Sequence, residues 1–187
     1  MGKRDPEHLR LKRDHRWRAR PGHRIFVADR GAVRFDFPDT WVLKMGERTV
    51  CLHDREPPDD DCRLEVSFNR LPPIDWSGMP VEQLLETAVG SDTRDIGGRG
   101  KTHSVRRHGL RLAWTELTFT DPVERRPARS RILIGLGNNV QCLISFDFWE
   151  SDAARLAPAW DEVVRTLELG IHIEDPTTGL RRDPSLN

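Results

Sequence analysis

Hydrophobic and polar residues alternate with a period of two in several short segments of this chain. The two clearest examples lie at 62–69 and 140–148, where an apolar side chain occupies every second position. This period is typical of a β-strand that has one face on the core and the other towards solvent. Further apolar patterns predict strands at 25–27, 32–37, 49–53, 102–107, 110–120 and 129–136.

Two other segments repeat their apolar residues at intervals of three and four, which is the period of an amphipathic helix. The first spans Val81 to Ala88 between Pro80 and Gly90, residue types that favour the start and the end of a helix. The second spans Leu156 to Leu167 and contains Pro158, which predicts either a kink or a helix that starts there. The predicted order of elements is therefore β-β-β-β-α-β-β-β-β-α.

The turn Gly137-Asn138-Asn139 joins two of the predicted strands, and its residue types favour the positive φ angles of a tight hairpin. Strands joined by hairpins are antiparallel, and the apolar face of each helix needs a surface to cover. We therefore predict an α+β fold in which an antiparallel β-sheet carries both helices, as a single domain over residues 25–173. Trp160 lies centrally on the apolar face of the second helix, so we predict that it is part of the core.

Charge is distributed unevenly along the chain, although 30 basic and 30 acidic residues give a net charge of zero. Residues 1–24 contain nine Lys or Arg and three Asp or Glu, so this arm carries +6 and the remaining chain −6. The arm has too few apolar side chains to offset the cost of ordering it, about 1–2 kcal/mol per residue. We predict a disordered basic arm at 1–24, dispensable for folding, and a flexible C-terminal tail at 174–187.

Two tryptophans have no evident place in the predicted core and are candidates for binding a partner. Trp17 lies between Arg16 and Arg18 in the basic arm, and Trp76 lies in the proline-rich segment before the first helix. We predict these four residues as partner-binding residues and prefer another protein as the partner. Nucleic acid is the alternative partner, because basic side chains neutralise phosphates and an indole ring stacks on bases.

The glycine-rich segments do not complete a nucleotide-binding motif. Residues 97–102 (Gly-Gly-Arg-Gly-Lys-Thr) end like a phosphate-binding loop, but Asp95 stands where the first glycine is required and no helix follows. Gly135 and Gly137 form a dinucleotide-like pair, but they lie in a predicted hairpin without a βαβ unit. We therefore predict no nucleotide cofactor.

Cysteine usage is typical of a reducing compartment, because Cys51, Cys62 and Cys142 are odd in number and lie in apolar strand patterns. Together with His53, the first two offer at most three ligands to zinc, so we predict buried thiols and no metal site. The N-terminus has no apolar segment of the signal-peptide kind, and we expect a cytoplasmic protein with no membrane span.

No catalytic motif is present, so we predict no catalytic residue and treat enzymatic activity as the rival hypothesis. A small enzyme or ligand-binding protein would need a site assembled from dispersed residues such as His53, His103, Glu116 and Asp147. A deep pocket with convergent polar groups would favour that hypothesis, whereas a shallow and partly apolar surface would favour a binding module.

The segment 35–41 (Phe-Asp-Phe-Pro-Asp-Thr-Trp) precedes a central helix, four antiparallel strands and a closing helix. This arrangement over residues 25–170, with the local motif F-x-F-P-x-x-W, resembles the PsbP-like α/β sandwich superfamily. That superfamily includes the extrinsic photosystem protein, a Ran-binding import factor and Eag-type chaperones of type VI secretion. The resemblance implies a PsbP-like sandwich and, since known members mostly bind proteins, a non-enzymatic protein-binding module, adaptor or chaperone.

Overall fold

A computed structural model describes residues 10–46, 49–107 and 109–181. Two α-helices lie in this part of the chain: α1 (Val81–Gly90) and α2 (Ala153–Thr166). The strands of the same part are β1 (His23–Ala28), β2 (Val33–Pro38), β3 (Val42–Met45), β4 (Val50–His53), β5 (Cys62–Arg70), β6 (Ile96–Arg99), β7 (His103–Arg107), β8 (Leu110–Thr120), β9 (Pro127–Gly137), β10 (Val140–Trp149), β11 (Glu168–Leu169), β12 (Ile173–Asp175) and β13 (Leu180–Arg181).

The largest sheet is antiparallel and has the strand order β3-β4-β5-β10-β9-β8-β6, with β7 paired to the other end of β8. One of its faces packs on α2 and on a three-stranded sheet of order β1-β2-β11, and we call it the α2 face. The opposite face carries α1 over β8 and β9, and we call it the α1 face. The predicted α+β class, an antiparallel sheet with helices packed on it, is confirmed.

The core on the α2 face is rich in aromatic side chains and centres on Trp160, which has no exposed surface. The ring of Trp160 lies parallel to the ring of Phe146, with the two ring centroids 5.9 Å apart. The indole of Trp114 packs edge-to-face against Trp160, with the centroids 5.4 Å apart. The prediction that Trp160 belongs to the core is confirmed. The helix α2 that carries Trp160 begins at Ala153 and contains Pro158, so it does not start at the proline.

Neither α1 nor α2 is long and apolar enough to cross a membrane, and no other helix of the described chain is either.

Five short strands, β3, β6, β11, β12 and β13, were not predicted from the sequence. Residues 96–99 lie in a glycine-rich segment whose composition predicts a flexible loop, yet they pair with the far end of β8. A Cβ on Gly98 would lie only 2.8 Å from Oγ1 of Thr118, so the glycine permits a close approach of the two strands. Short strands of this kind depend on a neighbouring strand, and their own sequence carries no period long enough to detect.

The N-terminal segment packs along the hairpin formed by β12 and β13. The backbone N–H of Arg16 donates to the carbonyl oxygen of Thr178 at 2.6 Å. The indole N–H of Trp17 donates to the carbonyl oxygen of Pro176 at 2.8 Å, and the Trp17 side chain is half-buried. Residues 12–17 are therefore bound to the β12–β13 hairpin by backbone and side-chain hydrogen bonds.

The structure differs here from the predicted disorder of residues 1–24 and 174–187. Residues 10–24 and 174–181 have defined contacts and include the hairpin and the start of β1. The contacts are supplied by a segment more than 150 positions away in sequence, which local composition does not reveal. The remaining parts of the predicted arm and tail lie outside the described residues.

Candidate functional site

An open cleft of about 380 Å³ lies at the end of the large sheet where the β7–β8 turn, the β9–β10 turn and the segment 71–77 meet. We call it the loop cleft. Its walls are formed by Leu71, Ile74, Asp75, Trp76, Ser77, Arg106, Arg107, Gly109, Leu110, Arg111, Leu136, Gly137, Asn138, Asn139 and Val140.

The floor of the loop cleft is built by two hairpin turns in close contact. Asn138 and Asn139 have φ angles of 45° and 58°, so the predicted tight turn is present. A Cβ on Gly137 would overlap the carbonyl oxygen of Gly109, so a glycine at that position lets the two turns meet. The side-chain amide of Asn138 donates to the carbonyl oxygen of Leu169 at 2.8 Å and fixes the turn on the core.

The rim is an irregular segment that one arginine holds in place. The guanidinium of Arg111 donates through Nη1 to the carbonyl oxygens of Ser77 and Met79, both at 2.8 Å, and through Nη2 to that of Trp76. The indole N–H of Trp76 donates to the carbonyl oxygen of Pro72 at 2.9 Å. The backbone of the rim thus has partners inside the chain, and its position is set before any ligand arrives.

The rim presents apolar surface to solvent. The side chain of Ile74 is 59% exposed, and Trp76, two residues further along the chain, is half-buried. Isolated exposed apolar residues are common on protein surfaces. Here the exposed side chain belongs to the wall of a cleft, and this combination is typical of a site that another molecule covers.

The side chains that line the loop cleft include more positive than negative charges. Arg106 and Arg111 are direct partners across the β7–β8 pair, so their side chains leave the same face of the sheet. Among the described residues, neither guanidinium has a carboxylate within 4.0 Å. Asp75 is the acidic member of the wall, and hydrogen bonds from Ser77 hold the pKa of its carboxyl below the ordinary value.

Arg107 adds a third guanidinium to the wall and joins the cleft to α2. It donates to the carbonyl oxygens of Val164 at 2.7 Å and Leu167 at 3.2 Å, at the end of the helix where carbonyl groups lack helical partners. Burial lowers the pKa of this guanidinium, the negative charge of Glu168 acts against that shift, and the positive charge of Arg165 adds to it. The guanidinium of Arg107 is therefore bonded to backbone carbonyl groups, and in the described chain it makes no ion pair with a carboxylate within 4.0 Å.

The predicted partner-binding residues lie in two separate elements. Trp76 is part of the wall of the loop cleft, whereas Trp17 packs against the C-terminal hairpin, with Arg16 and Arg18 exposed on either side. The indole of Trp17 therefore already has a partner within the chain. The pairing of Arg106 with Arg111 was not predicted from the sequence, although the register of a hairpin about Gly109 places the two arginines opposite each other.

The residues of the rival enzyme hypothesis do not converge. The strand register places His53 and Asp147 on the α1 face, and His103 and Glu116 on the α2 face. Each of them already has a partner within the chain. His53 is hydrogen-bonded to Asp60 at 2.8 Å, and Asp147 accepts a hydrogen bond from Arg94 at 2.9 Å. The ring of His103 stacks on Trp114 with centroids 4.2 Å apart, and Glu116 accepts hydrogen bonds from Arg129 and Arg131 at 2.7 and 2.8 Å.

A second cleft of about 150 Å³ lies near the opposite end of β10 and includes Asp61, Asp121 and Asp147. Its carboxylates are engaged within the chain: Asp61 with Arg155 at 3.2 Å, and Asp121 with the backbone N–H of Val123 at 2.9 Å. This cleft is smaller than the loop cleft.

The cysteines lie where the sequence placed them, buried and unpaired. Burial raises the pKa of the Cys142 thiol to about 12, so this group is protonated near neutral pH and is a poor nucleophile. Within the described ranges, no three His, Cys, Asp or Glu side chains are grouped so that they could hold a metal ion.

The layers and strand order define the class of the molecule, a PsbP-like α+β sandwich. It is similar to the solution structure of cyanobacterial PsbP (CyanoP) from Synechocystis sp., with a TM-score of 0.54 and 12% identity over 81% of this chain and 94% of that one. It is also similar to the Ran-binding protein Mog1p of Saccharomyces cerevisiae, with a TM-score of 0.51 and 10% identity over 79% and 95%. At such identities the likeness shows the fold, and the predicted resemblance is confirmed.

A larger protein contains the same fold as a part. The chain matches a crystal structure from Bacteroides thetaiotaomicron with a TM-score of 0.56 and 16% identity, over 79% of this chain but only 48% of that one. The chain thus spans about half the length of the Bacteroides protein.

The particular family follows from the sequence match. The Alr1449 family model covers residues 24–173, and the chain belongs to this family. The uncharacterized protein alr1449 of Nostoc sp. is 52% identical over 175 residues, which are 93% of this chain and 91% of the Nostoc protein.

Proposed function

We propose that this protein is a non-enzymatic protein-binding module of the cytoplasm, an adaptor or chaperone, that engages another protein through the loop cleft. The observation that carries the proposal is the exposure of Ile74 on a rim whose backbone is already hydrogen-bonded. Because Ile74 is 59% exposed, a partner that covers the exposed part gains about 1–2 kcal/mol from apolar burial. Because the rim is held by Arg111, little of that gain is lost to ordering the segment.

Three further observations support a binding module. The loop cleft is open and partly apolar, and the polar residues of the enzyme hypothesis lie on opposite faces of the large sheet. Mog1p, which has this fold, is named a Ran-binding protein. The three free and buried cysteines are typical of proteins from a reducing compartment, which supports the cytoplasm.

Photo-crosslinking from defined positions tests the proposal in the cell that makes the protein. A photoreactive amino acid is placed at Ile74, in the rim, and in a second protein at Val123, which is 84% exposed and lies outside the cleft. We expect a discrete protein adduct from position 74, weakened by a second substitution Trp76→Ala, and no such adduct from position 123.

Equal adducts from both positions, or no adduct from position 74, would contradict the proposal. The control is matched in chemistry, because both positions replace an exposed apolar residue. The circular dichroism of each variant should equal that of the wild type, and its melting temperature should lie within about 4 °C of it, so that loss of an adduct reports the surface and not unfolding.

A further inference from the structure

The basic pair of the loop cleft is unfavourable for the isolated protein. Arg106 and Arg111 face each other across an antiparallel pair of strands, and like charges in this position destabilise a sheet. Two acidic residues offset this repulsion in part, since Glu82 interacts with both arginines and Asp75 interacts with Arg111. Within the described residues neither carboxylate makes an ion pair with them: Glu82 accepts a hydrogen bond from the hydroxyl of Ser104 at 2.8 Å, and Asp75 accepts one from the backbone N–H of Ser77 at 2.8 Å. An anion held between the two guanidinium groups would remove this repulsion.

The two arginines have complementary roles in such a site. Arg111 is fixed by three carbonyl oxygens, and a guanidinium has five N–H donors, so two of its donors remain. Arg106 is exposed, and none of its donors has a partner among the described residues. The planar arginine fork matches the two oxygens of a carboxylate, and the pair is strengthened by full charge on both sides.

The surroundings select among anions. The body of the protein, residues 25–187, carries a net charge of −6, so a basic cleft is a local exception and not a consequence of overall charge. Ile74 and Trp76 add an apolar wall directly beside the basic pair. A peptide with a carboxylate next to an apolar side chain can bind both the guanidinium groups and the apolar wall, whereas a bare phosphate or sulfate can bind the guanidinium groups alone.

We propose that the loop cleft accepts an acidic segment of the partner protein, with carboxylates on Arg106 and Arg111 and an apolar side chain against Ile74 and Trp76. This inference rests on the proposed function and adds the chemistry of the partner. In the bound state both like charges at the mouth of the open cleft would be paired with carboxylates.

Selection from a random peptide library displayed on phage tests the inference on the full chain. We expect the selected peptides to be enriched in Asp and Glu beside an apolar residue. One selected peptide is then labelled and titrated by fluorescence anisotropy, together with the same peptide carrying Gln for each Glu. The Glu form should bind about tenfold more tightly or better, and Arg106→Gln should reduce it to the level of the Gln form.

Charge reversal and a charge-matched control complete the design. Arg106→Glu should select peptides rich in Lys and Arg, whereas Lys101→Gln removes one exposed positive charge outside the cleft and should leave binding within twofold. The inference is overturned if the selected peptides are not enriched in Asp and Glu. It is also overturned if they bind Arg106→Gln as tightly as the wild type. If a single-stranded oligonucleotide binds more tightly than the acidic peptide, and this binding is lost in Arg106→Gln, the acidic partner is rejected in favour of nucleic acid.

The two proposals can fail separately. If position 74 crosslinks a partner while the selected peptides are not acidic, the binding module stands and the acidic partner is rejected. If position 74 crosslinks nothing, the proposed function itself is rejected.

Discussion

Replacement of Trp160 tests the packing that joins α2 to the large sheet. The side chain has no exposed surface, and truncation of a buried aromatic residue to alanine costs about 3–5 kcal/mol through lost burial and a cavity. The contacts with Phe146 and Trp114 add about 0.5–1.5 kcal/mol for each aromatic pair beyond the buried area. These contacts place the expected cost at the upper end of the range.

One feature of Trp160 reduces the loss of stability that we expect from its removal. Its indole N–H is buried and has no hydrogen-bond partner among the described residues, and an unsatisfied buried donor costs about 1–3 kcal/mol. The alanine variant removes this penalty together with the ring, so we expect a net loss of about 3–4 kcal/mol from Trp160→Ala. Trp160→Phe keeps most of the packing and also removes the orphan donor, so it should cost about 1 kcal/mol or less.

Urea denaturation followed by circular dichroism measures both losses. We expect a lower midpoint with an unchanged m-value, and a melting temperature lower by about 6–16 °C for the alanine variant, at about 2–4 °C per kcal/mol for a chain of this size. Trp76→Ala is the matched control, since that ring is half-buried on the rim, and it should change stability by about 1 kcal/mol or less. A loss below about 1.5 kcal/mol for Trp160→Ala would refute the reasoning, as would equal losses for the alanine and phenylalanine variants.

Two further predictions concern an ion pair and the N-terminal segment. Burial alone would raise the pKa of Glu116, but hydrogen bonds from Arg131 and Arg129 lower it below the ordinary 4.5. A carboxyl with a lowered folded-state pKa stabilises the fold above pH 4.5 and loses that effect as the pH falls through its folded value. Glu116→Gln should therefore cost about 1–3 kcal/mol at pH 7, with the difference from wild type narrowing in acid. Trp17→Ala should lower the free energy of unfolding by about 1–3 kcal/mol, because it removes the bond to Pro176 and the packing of the ring.

Urea titrations at several pH values check the first of these, with Glu150→Gln as control, because Glu150 bonds only the exposed side of Arg129. A difference between Glu116→Gln and wild type that grows in acid would contradict the assignment. For the N-terminal segment, Arg16→Ala is the control, since its contact with the hairpin is made by the backbone. Equal effects of Trp17→Ala and Arg16→Ala would show that the indole is not the anchor.

The sequence by itself determined the elements with a long and regular pattern. The alternation at 62–69 and 140–148 predicted β5 and β10, and the three-and-four spacing predicted α1 and α2 to within a few residues. The burial of Trp160 followed from the same spacing. These features depend on local sequence, because the backbone period of a strand or helix sets the direction of each side chain. The same period is visible in the spacing of apolar residues along the chain.

The tertiary structure decided everything that depends on partners distant in sequence. Trp17 is held by a carbonyl 159 residues away, and β6 exists because the end of β8 accepts it. The register of the sheet separated His103 from Asp147 onto opposite faces, which the composition of each strand does not reveal. The loop cleft needs two hairpin turns and the rim to meet at one end of the sheet, and that meeting is set by strand pairing over the whole domain.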